Sequence, residues 1–436
     1  MKRRLLPILM TLVLVCALPI WAAFVTSGDV TNPLVSTAGA AELTLQGMID
    51  QANAGDTIKL SSNTEVHATL QITKNLTLDL NGHVLKMTGD VSVLKVSDRA
   101  TLTIQDSSAA KSGTITGGNA KDGGGVYIEA YATLEMTGGC ITGCRAEDGG
   151  GVYIDNNATL KMTGGCITDC HASYGGGIYS YENLYMGGTA KIEKCTSNGG
   201  SYDAIWNRER CNIYADGGTV DGTVSNLGTI MHSEGAAAET VFNGTVYNRS
   251  AGKIEAGIYK GTVENTGTIT GGTFYDAVTN RKASLSFMTE AGTISGGTFY
   301  GSIVNEGGPE QVADSAKVAV TFNTDGGTSV AEEKVLRGQK MSKPAAPTKS
   351  GYTFTGWEDA NGAYDFNTPV IAPLTLTARW EEVPSSGGNY YYHPTTDTKA
   401  DDAKGSPKTA DPGVALYAAL SLLSLTGLTY TGRKKF

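Results

Sequence analysis

Across residues 41–307 the apolar positions alternate with polar ones and do not recur at helical spacing. In Thr133-Leu134-Glu135-Met136-Thr137, Leu134 and Met136 form one face, and Thr159-Leu160-Lys161-Met162-Thr163 repeats the pattern. Period-two patterning of this kind marks a strand with one face buried. The strands sit in a longer repeat: Gly123-Gly124-Gly125-Val126-Tyr127-Ile128 returns as Gly149-Gly150-Gly151-Val152-Tyr153-Ile154, then as Gly175-Gly176-Gly177-Ile178-Tyr179, 26 residues apart each time. A unit of three short strands cannot cover its own apolar face, so it must stack on copies of itself. At a rung spacing of about 4.8 Å, Leu134 lies over Leu160, Met136 over Met162, and Val126 over Val152 and Ile178.

Upstream, Leu76-Thr77-Leu78-Asp79-Leu80-Asn81-Gly82-His83 and Ala100-Thr101-Leu102-Thr103-Ile104 continue the alternation and read as first coils. Before them Leu45, Met48, Ile49 and Ala52 recur at i, i+3, i+4 and i+7, followed by Gly55. That pattern predicts one amphipathic helix ending at Asn53 or Ala54, placed to cap the open end of the stack. Downstream the motif becomes Gly217-Gly218-Thr219-Val220, Gly271-Gly272-Thr273-Phe274 and Gly296-Gly297-Thr298-Phe299, which predicts further, shorter-armed coils. Residues 317–382 change character to a few longer strands with two tryptophans, Trp357 and Trp380, read as core aromatics of a small second domain.

The ends differ from the body. Lys2, Arg3 and Arg4 precede an apolar run to Ala23, the layout of a secretory leader within residues 1–40. Residues 383–405 are poor in apolar side chains and read as a flexible spacer. Val414 to Tyr430 is apolar or nearly so, about 25 Å if helical, and is followed by Arg433-Lys434-Lys435; this predicts a membrane segment held by cytoplasmic cations.

Composition narrows the chemistry. The chain has 57 glycines among 436 residues and only 12 prolines, a turn-rich profile without a disordered Pro/Gly tract. A net charge of −9 with no basic stripe excludes nucleic acid as a natural partner. Cys140 stacks on Cys166, while Cys144, Cys170 and Cys195 form a second ladder; parallel side chains favour buried thiols, with one or more disulfides as the alternative. No closed set of zinc ligands accompanies them, so neither a metal nor a cofactor is expected. For catalysis the stack offers Glu129 and Asp155, equivalent places one coil apart and hence about 5 Å, the separation of a retaining glycosidase pair. Asp122 and Asp148 stack likewise. Neither pair has the convergent Asp cluster, His and Arg or Lys of a polysaccharide enzyme, and the reading taken is a solvated surface ladder.

Three resemblances follow from these residues. The Leu78-Asp79-Leu80-Asn81-Gly82-His83 turn and the Gly-Gly-Gly-Val-Tyr repeats resemble the pectin-lyase-like superfamily and the repeats of bacterial surface adhesins. This implies an all-β fold: a right-handed parallel β-helix with an N-terminal capping helix, followed by a small β-grasp-like domain. The second domain, through Gly351-Tyr352-Thr353-Phe354-Thr355-Gly356-Trp357 and Ala378-Arg379-Trp380, resembles the Listeria–Bacteroides repeat, also called the internalin B-repeat. Ser406-Pro407-Lys408-Thr409-Ala410, the apolar segment 414–430 and the basic terminus together resemble a Gram-positive cell-wall sorting signal in residues 406–436. Ser406 and Ala410 stand where its commonest form has Leu and Gly. The resemblance implies that a sortase attacks the Thr409 carbonyl and transfers the chain to peptidoglycan. The expectation is a non-enzymatic surface adhesin or display protein whose partners include host glycans or matrix proteins. A polysaccharide lyase or glycoside hydrolase, and a structural envelope protein without a ligand, are the alternatives.

Overall fold

The structure, a computed structural model, describes residues 30–31, 44–198, 204–282 and 291–384. Among these the chain is nearly all strand, with one α-helix and two short 3-10 turns. Eleven strands, from Leu70–Ile72 to Ile303–Asn305, form one long sheet in which every neighbour is parallel and one coil away. Beside it run two further ladders. Thr133–Met136 lies between Thr101–Gln105 and Thr159–Met162, and Cys140–Thr142 lies between Thr114–Thr116 and Cys166–Thr168. This is a parallel β-helix, and Val126, Val152 and Ile178 stack in one register.

The triple glycine is explained by geometry. Gly123 has φ +63°, a conformation L side chains rarely adopt, and a Cβ on Gly124 would stand 2.3 Å from Arg145 O and 2.6 Å from Gly150 O. The turn lets the chain leave a fourth, short sheet, made of Asn119–Asp122, Arg145–Asp148, His171–Ala172 and Thr196–Ser197, and enter the long one. Inside, Val126, Ile128, Leu134, Met136 and Ile141 are wholly buried, each contributing about 1.5–3 kcal/mol, but only while both neighbouring coils are present.

The interior changes along the stack. Phe242, Tyr259, Phe274 and Phe299 pile with ring centroids 5.0, 4.8 and 4.8 Å apart. On the long sheet, Asn207, Asn226, Asn248, Asn265, Asn280 and Asn305 occupy one register. Each amide donates to the next side-chain oxygen at 2.7–2.9 Å. The intervals fall to 17 residues between Asn248 and Asn265 and 15 between Asn265 and Asn280. The amides also give turn carbonyls a second donor: Asn248 Nδ2 donates to Gly252 O, which already accepts the Thr268 N–H at 2.9 Å, and to Thr268 O, both at 3.2 Å.

The helix Leu45–Gln51 begins with Thr44, whose hydroxyl accepts from Gly47 N at 3.1 Å. Leu45, Met48 and Ile49 enter the same core as the coils. The Gln71 N–H donates to Gln46 Oε1 (2.8 Å) and Gln46 Nε2 donates to Gln71 O (3.2 Å), so a side-chain amide stands in for a neighbouring strand. The helix stops before the expected Asn53. Ala52 is extended at ψ 149°, and the Asp56 carboxylate accepts from Asn53 N, drawing the chain into the first coil.

Residues 317–382 form a five-stranded mixed sheet with its own core, in which Trp357 is 2% exposed between Phe322 and Phe354. Trp380 is partly buried and donates from Nε1 to Thr324 O at 3.1 Å. At the last coil the Ile303 N–H donates to Arg337 O (2.8 Å) and Gln339 Nε2 donates to Ile303 O (3.4 Å), so the small domain satisfies the edge of the long sheet.

The cysteine ladders divide. Cys140 and Cys166, read from sequence as thiols, are joined by a disulfide, with Cα atoms 4.5 Å apart. Both stand at outward, half-buried positions where their side chains can turn toward each other. Cys144, Cys170 and Cys195 point inward and are free. The hydrogen bond with Cys170 and burial together hold the Cys144 thiol well above its ordinary pKa. Burial pushes Cys211 up to about 12. Thiols this reluctant to ionise are inert packing groups.

Candidate functional site

Alternation in Val-Tyr-Ile sends valine and isoleucine inward and the tyrosine outward. Tyr127, Tyr153, Tyr179 and Trp206 therefore form a row on the outer face of the long sheet, with centroids 5.3, 5.6 and 6.4 Å apart. The short sheet carries a second ladder. Asp122 is in register with Asp148, and Asp148 bridges to Tyr174. The Tyr174 and Trp206 rings meet edge to face, with centroids 5.1 Å apart.

Glu129 and Asp155 follow the tyrosines by two residues and sit at equivalent turns of adjacent coils, where Glu129 N donates to Val96 O and Asp155 N to Ile128 O. Their partners differ. Glu129 Oε1 pairs with Lys95 Nζ at 2.9 Å. Asp155 accepts from the Tyr127 hydroxyl at 2.9 Å and from Asn156 N at 2.7 Å. These contacts orient both carboxylates along the turn.

Electrostatics set Asp122 and Asp148 apart. Burial first, then the Glu147 and Asp155 carboxylates, raise the pKa of Asp122 against the opposing pull of Lys121. Burial, then Asp122 and Glu147, raise Asp148. Burial and the hydrogen bond to Asp155 push the Tyr127 phenol up as well. Lys121 and Arg208 oppose the rise of Asp148 without cancelling it. Other cations of the chain lie over aromatic rings: Lys95 is 5.4 Å from the Tyr127 centroid, Arg208 4.2 Å from that of Tyr181, and Arg99 5.0 Å from that of Tyr131.

Farther along, Tyr247, Arg249, Glu264, Thr266 and Arg281 line a shallow depression. Arg281 is paired there with Glu264 and Glu306. His171 bonds Thr196 and Asn198, and His67 bonds Thr88, which makes both structural. Among the described residues no group of three or more His, Cys, Asp or Glu side chains is arranged to hold a metal ion, and no helix is long and apolar enough to cross a membrane. The leader, the Ser406, Pro407, Lys408, Thr409 and Ala410 segment and the apolar run 414–430 lie outside the described residues. Sequence reasoning overlooked the tyrosine row and the asparagine ladder. The signal for both was present, as the Tyr that follows Gly-Gly-Gly-Val or Gly-Gly-Gly-Ile in each unit and as Val-x-Asn at 224–226, 246–248, 263–265 and 278–280.

The chain is thus an all-β solenoid followed by a small mixed-sheet domain, and comparison with known proteins adds to this. Residues 319–379 match the Listeria-Bacteroides repeat domain family. A protein of Evansella cellulosilytica named as a membrane protein is 32% identical over 118 residues, 26% of this chain and 17% of that protein. A second from the same organism, named as a Gly-rich membrane protein, is 36% identical over 66 residues, 14% of this chain and 8% of its own length. Internalin H of Listeria monocytogenes is 34% identical over 91 residues, 20% of this chain and 16% of that protein. The chain matches less than a fifth of the length of each of these relatives.

Proposed function

We propose that the protein is displayed on the surface of a Gram-positive cell and acts there as an adhesive module without catalytic activity. In this reading a sortase joins Thr409 to peptidoglycan after secretion, and residues 383–405 span the wall. The β-helix of residues 41–307 is right-handed and pectin-lyase-like, as nearly all parallel crossovers are right-handed. The helix Leu45–Gln51 caps its first coil, and the β-grasp-like domain of residues 317–382 holds it off the envelope.

The observation that carries the reading is the long outward face. Eleven parallel rungs present a regular surface roughly 50 Å long, and its candidate acids, Glu129 and Asp155, are engaged by Lys95 and Tyr127. The likeness to internalin H and to two named membrane proteins supports placement at the cell surface. Mass spectrometry of muramidase-released protein tests it, the expected product ending at Thr409 and carrying a muropeptide; an intact C-terminus would remove the wall linkage. Replacing Glu129 and Asp155 by their amides should leave any release of reducing or unsaturated sugars unchanged. A loss of release would make the Glu129 and Asp155 pair an active site.

A further inference from the structure

We propose that the small domain is a force-bearing link: tension between the β-helix and the chain beyond residue 382 loads its first and last strands in shear. The inference rests on the display reading, because only a protein held at both ends comes under tension.

Topology carries the argument. Lys317–Asn323 and Leu374–Glu382, the first and last strands of the domain, lie side by side and parallel, with residues 320–323 opposite residues 374–377. The chain enters the first strand at Lys317 and leaves the last at Glu382, so the two ends point in opposite directions along the strands. Pulling on them slides one strand lengthwise past the other. Ladder hydrogen bonds run across strands, so all the rungs of the pair resist such a slide together, whereas a force directed across the strands opens them one at a time.

Two features keep the pair from slipping rung by rung. Val320 and Leu376 are wholly buried in the domain core, while Thr321 and Thr375 stand on the exposed face with their hydroxyls 2.9 Å apart. A slip of one residue would bring core positions to the solvent face and threonines to the core. The last strand is also internal to the sheet. On its other side it pairs antiparallel with Tyr352–Asp359, so it cannot peel away from an edge.

Tension reaches these strands without slack. Val312 and Ala316 are buried in the core of the solenoid, and the Ala313 N–H donates to Ile294 O at 2.8 Å. Lys317 is the next residue, so the first strand begins where the last coil ends. A second tie runs through Arg337, just after Glu333–Leu336: its carbonyl accepts the Ile303 N–H and its Nε donates to Tyr300 O at 2.9 Å.

The test is single-molecule force spectroscopy of the full chain. One handle is the thiol of a Thr298→Cys variant, at an exposed position of the last coil, and the other is the C-terminus. The free native cysteines among the described residues are buried, so the handle thiol reacts first. Opening of residues 317–382 should appear as one step that lengthens the chain by roughly 200 Å. In the Thr298→Cys, Asn361→Cys variant the second handle moves to the exposed turn before Gly362–Ala363, toward the end of the sheet at which Lys317 enters. Force then acts across the strands, and the domain should open at a force lower by roughly twofold or more. Equal forces in the two geometries, or gradual lengthening without a step when the C-terminus is pulled, overturn the proposal. Absence of the protein from the wall fraction would defeat the display reading and leave these force curves as they are.

Discussion

Truncating Asn248 to alanine tests the physics of the short-coil half most directly. The side chain is wholly buried, accepts from Asn226 Nδ2 at 2.8 Å, and donates to Asn265 Oδ1 at 2.7 Å and to Gly252 O and Thr268 O at 3.2 Å. Removing it does not orphan everything it touches. Asn226 Nδ2 keeps Gly228 O at 3.0 Å and Lys253 O at 3.3 Å, and Gly252 O keeps the Thr268 amide at 2.9 Å. Asn265 Oδ1, however, loses the side-chain donor of the rung before it inside a dry core. One stranded acceptor plus the net loss of the remaining bonds amounts to about 2–5 kcal/mol. Stability in a solenoid is a sum over neighbouring coils, so a single global unfolding energy is a poor readout. Hydrogen exchange resolves the coils. Amides of Val246–Asn248, Val263–Asn265 and Val278–Asn280 should exchange roughly 30-fold to a few thousand-fold faster, while Val126–Ile128 and Val152–Ile154 keep their protection. A change below about threefold in the short coils would refute the claim that the amide ladder holds them. The ladder's first rung permits the converse experiment. Asn207 Oδ1 has no protein donor among the described residues, and Ser180 is its register neighbour one coil before. Ser180→Asn should supply that donor and slow exchange at Ile205–Asn207 by about fivefold, the equivalent of about 1 kcal/mol.

Gly124→Ala should destabilise the coil by about 2 kcal/mol or more in thermal unfolding, because its Cβ would press on two backbone oxygens. Gly351→Ala, strained at φ +80° but with nothing within 4 Å, should cost only about 1 kcal/mol. Unreduced peptide mapping should recover Cys140 linked to Cys166, and iodoacetamide should label Cys144, Cys170, Cys195 and Cys211 only after unfolding. Acid should act with opposite signs at two sites. Burial opposes it, yet hydrogen bonds from Ser107, Asn81 and Gln105 depress Asp79, and bonds from Gly113, Ser108 and Gly82 depress Asp106. Their stabilisation is complete above the unfolded value near 4 and is lost as pH falls through the lower folded values, so the first coils should melt earlier in acid. Asp148 is raised, so its charge destabilises the fold at neutral pH; Asp148→Asn should raise the thermal midpoint at pH 7, and the gain should vanish once pH lies below both pKa values. A midpoint that falls at pH 7 would contradict the burial and repulsion described for Asp148.

The stack itself could be read from the chain because its repeats are nearly identical, and identical rungs can bury Leu134, Met136 and Val126 only by piling. The tyrosine row was harder to see. Alternation assigns Tyr127 and Tyr153 to the outside, where they look like ordinary surface residues. They become one stacked row only because the coils return in register. Cys140 and Cys144 were similarly indistinguishable by type. What separates them is parity: residues four apart in the chain but on opposite sides of a turn, one half-buried and outward, the other wholly buried. The helix was visible in its i, i+3, i+4 spacing, but its end depends on the Asp56 carboxylate, a contact made only when the first coil closes.

The asparagine ladder escaped sequence reasoning for a reason that also explains why it exists. Asparagine ordinarily signals a turn outside the core. When a coil shrinks from 26 residues to 15 or 17, its perimeter encloses fewer side chains, and each rung buries less apolar area than Leu134 and Met136 supply in the wide coils. The deficit falls where backbone carbonyls crowd a tight inner turn, so the residue that serves best there can donate twice and stay in register with its copies. Asparagine does both at the rung spacing, and Phe242, Tyr259, Phe274 and Phe299 fill the opposite interior by stacking at the same spacing. A turn-forming residue thus becomes a core residue when the coil is small enough. The two halves should accordingly fail differently. A deleted methyl in a wide coil leaves a cavity that aliphatic neighbours partly fill, whereas a deleted amide in a narrow coil strands an acceptor that no aliphatic neighbour can satisfy.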